Sequence, residues 1–297
     1  MEIALFKINT DGLAKFADTI SFALGGTARG ERKMAEAKAY AAELEAKTNN
    51  KIALIKAQGE DALADYVAAK ESRKLKNTMA VIEKAQSHFT EGEKVSDEPV
   101  DEGWKNRFFN IIEEVTDDDM REIWGRVLAG EIKKPKSYSL RTLDTLRNLT
   151  KEEAEIIVKA APYILKGNAL YKNSLLSTAE TLILKECGLI LDEGLGLTYH
   201  WDVKEHDTYY TTLTEQLVIG LRNDSDNMIE IRPNVYKLST AGREIIKLIT
   251  VSDTDKQNFF KMLADQFKAK GISHVFIHTL ISKNEENISF EDDGIEI

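Results

Sequence analysis

The chain has 297 residues, 42% of them hydrophobic and 30% charged, with a formal net charge of −10. That length accommodates roughly two domains of ~150 residues with real cores, and only four prolines and 17 glycines argue against a loop-rich all-β fold. The acidic balance argues against a general binder of nucleic acid, whose affinity rests on neutralised phosphates. A single cysteine, Cys187, leaves no internal disulfide to form and reads as a small core residue in a reducing compartment.

No basic and apolar cleavable leader opens the sequence, and no stretch approaches the ~18–20 apolar residues of a membrane span. A cytoplasmic protein is expected, at most peripheral at the inner face of the membrane. Residues 1–27 contain an amphipathic helix with Leu13, Phe16, Ile20 and Leu24 on one side, ended by Gly25-Gly26. It reaches only about 21 Å at ~1.5 Å per residue, short of a ~30 Å hydrocarbon core. Its expected contacts are its own protein, neighbouring subunits or a membrane surface.

Residues 28–90 are rich in alanine and charge. Met34, Ala37, Ala41, Leu44, Ile52, Ile55, Leu63, Tyr66, Met79 and Ile82 mark a narrow apolar seam with interruptions, as in a coiled coil with stutters. So thin a stripe needs a partner, so homo-oligomerisation through this seam is expected, with an antiparallel hairpin as the alternative. Asn49-Asn50 and Gly59 are its weak points. Residues 91–103 are acidic, contain Pro99 and read as a linker.

Residues 104–168 predict a helical domain. Trp104, Phe108, Ile111, Ile112 and Val115 form one apolar face, and Met120, Ile123, Trp124, Val127 and Leu128 form the next. Thr116 is expected to cap the second helix, with Asp117, Asp118 and Asp119 in its first turn, where the dipole favours negative charge. Gly130 is expected to end it in a left-handed cap before Pro135. Ser137 or Ser139 should cap the following helix, and Thr150 with Glu153 makes a capping box. Lys133, Lys134, Lys136 and Arg141 form a basic loop too poor in glycine for a phosphate cradle; it suits a helix-helix connection or docking to an acidic partner or lipid headgroups.

The stretch EIWGRVLAGEIKKPKSYSLRTLDTLRNLTKEEA resembles the signature of an uncharacterised bacterial family: a tryptophan helix ending in L-A-G-E-I, a proline loop, S-x-R-T-L and LT-x-x-E-A. The likeness is strong over 104–165. Many members carry Pro-Gly where this chain has Pro135-Lys136. The family brings no established activity. A related helical module occurs in abortive-infection-type proteins, which implies a role in defence against phage.

Residues 169–297 resemble a winged-helix α+β domain: a helix in 175–190, strands in LVIGLR, MIEI and VYKL, and the returning LSTAGREI. A further helix (DTDKQNFFKMLADQFKAKG), a strand (ISHVFIHTLISK) and an acidic tail (FEDDGIEI) follow. The expected fold is mainly α, with a long coiled-coil-like amino-terminal helix, a helical middle domain and this winged-helix-like unit. His200 and His206, near Asp202 and Glu205, fit no strong metal spacing. His274 and His278 share a strand face but stand about 13 Å apart. No catalytic motif stands out, and no cofactor or metal is expected. The leading expectation is a non-enzymatic homo-oligomer in phage defence, meeting a phage or host protein and the membrane surface. A nucleic-acid-binding regulator built on the winged-helix-like unit is the alternative, and an enzyme using His200 and His206 the third.

Overall fold

A computed structural model describes residues 46–90, 96, 98–172, 175–191, 199–284 and 287–297. The expectations for Leu13, Phe16, Ile20, Leu24, Met34, Ala41 and Leu44 lie outside them. The fold is mixed α+β, helical at first and then built on antiparallel sheets. It forms two compact units, one ending at Leu143 and the other spanning Asp144–Ile297.

In the first unit, residues 46–57 are helical, so Asn49-Asn50 does not interrupt the chain. The break comes at the other weak point, where Gly59 takes φ 78, a left-handed conformation that glycine adopts without a Cβ clash. Helix α1 (Asp61–Gln86) follows and buries Ala64, Asn77, Thr78, Val81, Ile82 and Ala85. Its later turns pack on α2 (Glu102–Ile112) and α3 (Asp118–Lys133). The acidic segment 91–103 therefore joins helices that share one core.

Several polar groups in that core are matched, although the buried Trp124 indole N–H has no hydrogen-bond partner among the described residues. Asn77 donates to Glu113 O at 2.8 Å and accepts from Arg121 at 3.0 Å, and Lys74 pairs with Glu113 at 2.7 Å. Trp104 stacks on Phe108 at 4.9 Å, and Phe108 meets the edge of Trp124 at 5.7 Å. The cap of α3 is Asp117, whose carboxylate accepts from the Met120 N–H at 2.9 Å, one residue beyond the expected Thr116. A carboxylate there serves both the open N–H and the helix dipole. Helix α4 (Leu140–Asn148) runs across the division between the units.

The second unit continues with α5 (Lys151–Ala160), opened by the expected Thr150–Glu153 capping box. A single 3-10 turn leads to β1 (Ile164–Leu165) and β2 (Ala169–Tyr171). Helix α6 (Thr178–Glu186) follows, then β3 (Trp201–Val203), β4 (Thr208–Thr212), β5 (Leu217–Arg222), β6 (Ile229–Ile231) and β7 (Val235–Lys237). Strands β1, β2 and β7 form one antiparallel sheet, and Ile190 bridges Leu238 just beyond it. The short α7 (Thr240–Ile246) and the longer α8 (Asp253–Lys268) precede β8 (His274–Lys283). A second sheet runs β10-β8-β5-β4, with β9 (Ile288–Phe290) also on β8 and β10 being Ile295–Glu296. Its core gathers Trp201, Leu213, Ile219, Leu221, Phe259, Leu263, Phe267 and Val275.

The acidic carboxyl-terminal stretch is paired into the sheet. Phe290 belongs to β9, Ile295–Glu296 pairs with β8, and the Ile297 N–H donates to Val275 O at 3.0 Å. Backbone pairing to a strand is indifferent to side-chain charge, which is why composition hid it. Among the described residues, no helix is long and apolar enough to cross a membrane.

Candidate functional site: a lysine-lined groove and the signature loop

Around the signature loop, α3 does not end at Gly130. It continues to Lys133, and Gly130 lies inside it because a Cβ there would sit 2.8 Å from the Tyr138 ring. The glycine is a close-approach residue, not a cap. Next to it, Glu131 is only 1% exposed, and its two oxygens accept from the N–H groups of Lys136 at 2.6 Å and Tyr138 at 3.0 Å. The Trp104 indole N–H donates to Tyr138 O at 2.7 Å. Lys136 takes φ 69, the left-handed conformation that a glycine would favour at this position. Ser139, the second of the two expected caps, accepts from the Thr142 N–H at 3.3 Å. The loop is thus wound on one buried carboxylate, which the sequence reading missed.

The four basic residues of this region do not converge. The Lys133 ammonium donates to His88 O at 2.6 Å and lies 5.2 Å from the centre of the Phe89 ring. Lys136 pairs with Glu98, whose carboxylate holds the ammonium above the usual lysine range. Lys134 and Arg141 are exposed. Of the seam residues, Ile52 and Ile55 are half-buried, while Leu63 and Tyr66 are exposed. His200 is exposed, and His206 sits 3.0 Å from Asp226 at the surface. No group of three potential metal ligands occurs among the described residues. His274 and His278 flank Phe276 on one strand face, as their spacing predicts.

A more site-like arrangement occurs in the second unit. Ser177 and Glu180 form a capping box that starts α6. From there Thr178, Thr181, Leu182 and Lys185 fall at i, i+3, i+4 and i+7, so they line one helix face. Opposite them stand Leu170, Tyr171 and Lys172 at the end of β2, Leu176, and Tyr236 of β7, enclosing a groove of about 280 Å³. Two ammonium groups meet on its aromatic floor, Lys172 at 4.2 Å and Lys185 at 5.2 Å from the Tyr236 centroid. Glu180 does not neutralise them there: it pairs with Lys159 at 2.6 Å and accepts from the Ser177 N–H at 2.7 Å. Those contacts push its carboxyl down to about 2. A cavity this small, just under the ~300 Å³ of ordinary ligand pockets, suits a side chain or a small acidic group.

Residues 64–178 match a family described as a protein of unknown function (DUF2806). The match runs from α1 through the signature loop to the first residue of α6 and agrees with the resemblance to an uncharacterised family. No curated protein and no solved structure matches the chain.

Proposed function

We propose that the protein is a self-associating sensor and effector. It assembles through a coiled-coil-like contact of its amino-terminal helices and receives a partner at the groove beside α6. The observation that carries this reading is a run of uncovered apolar side chains on the helical stretch either side of Gly59. Leu54 is 66% exposed, Leu63 45% and Tyr66 65%. Large apolar groups gathered on one narrow segment are what a subunit contact requires. Assembly would also multiply weak attachments of an amphipathic amino-terminal helix to a membrane surface. In the setting that the likeness to abortive-infection-type modules suggests, this device serves defence against phage.

Light scattering on the full-length protein across a concentration series tests the reading. The expected outcome is an oligomer that the triple change Leu54→Ser, Leu63→Ser and Tyr66→Ser dissociates without loss of helical circular dichroism. An unchanged mass would refute assembly through this segment. Flotation with anionic vesicles, with and without residues 1–27, tests the membrane contact, and plating efficiency of phage on cells expressing each version tests the defence role.

A second reading, a nucleic-acid-binding regulator, is favoured by one feature. The order α5, β2, α6, the Ile190–Leu238 bridge and β7 resembles a winged-helix unit, and Lys172 and Lys185 flank its helix. Against it, residues 144–297 carry 17 Lys and Arg and 25 Asp and Glu, a poor balance for phosphate neutralisation. Salt-sensitive binding to duplex DNA that is lost in Lys172→Met with Lys185→Met would establish this reading instead.

A further inference from the structure

Two lysines from different elements share one ring at the groove beside α6. Lys172 follows directly on β2, and Lys185 sits in the last turn of α6. Their ammonium groups lie 4.2 and 5.2 Å from the centroid of Tyr236 on β7. A lysine that must be immobilised by its partner loses rotamer freedom on binding. Here the ring face already holds both side chains, so much of that ordering precedes any encounter. The described lining of the groove thus brings two ammonium groups and no carboxylate to one wall.

Apolar surface lies beside the charge. Leu170 and Leu176 in the lining are buried, but Leu182 on the same wall as Lys185 is 53% exposed. Leu175, which precedes Leu176 in the approach to α6, is 51% exposed. A phosphate backbone would meet the lysines and gain nothing from these leucines. A small carboxylate held in about 280 Å³ would leave the rim leucines in water. A segment of protein that mixes carboxylates with apolar side chains suits both kinds of surface at once. The lysines need not converge on one anion, because carboxylates on two residues of such a segment meet them separately.

We propose, resting on the reading that a partner is received at this groove, that it takes an acidic, leucine-bearing segment of another protein. Carboxylates of the segment pair with Lys172 and Lys185, and an apolar side chain enters beside Leu176 and Leu182. Thr181, on the same helix face, offers its hydroxyl to the backbone of the segment. The charges set which partners are attracted and which are repelled, and the leucines set how long the partner stays.

The test uses the full-length protein and a fluorescein-labelled peptide of alternating leucine and aspartate, read by anisotropy across a salt series. A peptide with asparagine for aspartate is the neutral comparison. The acidic peptide is expected to bind, to weaken as salt rises, and to exceed the neutral one about tenfold. Lys172→Met with Lys185→Met should weaken the acidic peptide about tenfold and leave the neutral one unchanged. Leu182→Ser should weaken both peptides, and the exposed Lys247→Met neither. Should the double variant lose helical circular dichroism, the milder Lys185→Gln decides the charge effect alone. Equal binding of the two peptides overturns the acidic partner, as does binding of neither. Displacement of the acidic peptide by duplex DNA at equal concentration overturns it in favour of nucleic acid. The underlying reading is judged separately, with Thr181→Trp, which fills the groove. If phage plate equally on cells expressing parent and Thr181→Trp, reception of a partner at the groove fails as well. If protection is lost with helical content intact and neither peptide binds, the groove receives a partner and only its acidic character is refuted.

Discussion

Glu131 and Lys166 are both charged side chains drawn out of water, and the two units treat them in opposite ways. Glu131 in α3 is almost fully buried, and both its oxygens are met by backbone N–H donors of the loop it organises. Lys166, in the turn between β1 and β2, is half-buried with the Thr211 hydroxyl and the Tyr199 and Trp201 rings for company, and the charge that shifts it, Lys283, has the same sign. Burying a charge is tolerable when its hydrogen bonds are complete and costly when they are not. The contrast teaches where to look for chemistry. The most recognisable stretch of sequence is a completed packing device, and the incompletely served charge lies in a turn with no motif.

Single substitutions test the contrast directly. Glu131→Gln places an amide NH₂ against one of two N–H donors, so urea unfolding should show a loss of about 3 kcal/mol. Lys166→Met, by comparison, should show no loss at neutral pH. The sign follows from linkage. A lysine whose folded pKa is depressed costs stability below that pKa, and the cost disappears as pH rises toward its unfolded value near 10.5. The parent should therefore approach the Met variant in stability as the pH is raised through that window. If the two changes destabilise alike, the distinction between a completed and an incomplete charge collapses.

Smaller effects sharpen the account of the loop. Trp104→Phe keeps most of the apolar packing but leaves Tyr138 O without its indole donor, for an expected loss of about 1–2 kcal/mol in the same unfolding assay. Lys136→Gly should go the other way and stabilise by about 0.5 kcal/mol. It relieves the left-handed strain at φ 69, partly offset by a freer unfolded chain, and sacrifices only an exposed ion pair with Glu98. A loss on Lys136→Gly would mean that the ion pair, not the backbone, governs this turn.

The parts of this structure that were legible in the sequence are those set by local rules. The Thr150–Glu153 box, the helical period of α2 and α3, and the strands β5 to β8 all follow from spacing alone. Gly130 was misread because a glycine near a helix end signals a cap, whereas the cause here is the Tyr138 ring eight positions on. Glu131 had no signal of its own, since one glutamate on an amphipathic helix looks like a solvated residue until the loop returns over it. Lys166 was hidden by distance. Thr211 is 45 positions away, Lys283 is farther still, and only the sheet brings them together. Asp117 displaced Thr116 as the cap by one place, the ordinary uncertainty of helix ends.

The smallest expected effect concerns an exposed charge that is nonetheless well served. The Glu180 carboxyl is held down to about 2, first by the Lys159 ammonium and then by the Ser177 N–H, against an ordinary value near 4.5. A depressed carboxyl adds stability above its unfolded pKa and loses it as pH falls toward the folded one. The melting temperature of the parent should thus exceed that of Glu180→Gln at pH 6, and the gap should narrow below about pH 4.5 and close near pH 2. Added salt should narrow it at pH 6 as well, because the pair with Lys159 is open to screening. A gap that survives at pH 2 would assign the effect to the geometry of the capping box instead of its charge. Glu180 would then resemble Glu131, a side chain valued for the backbone donors it accepts from.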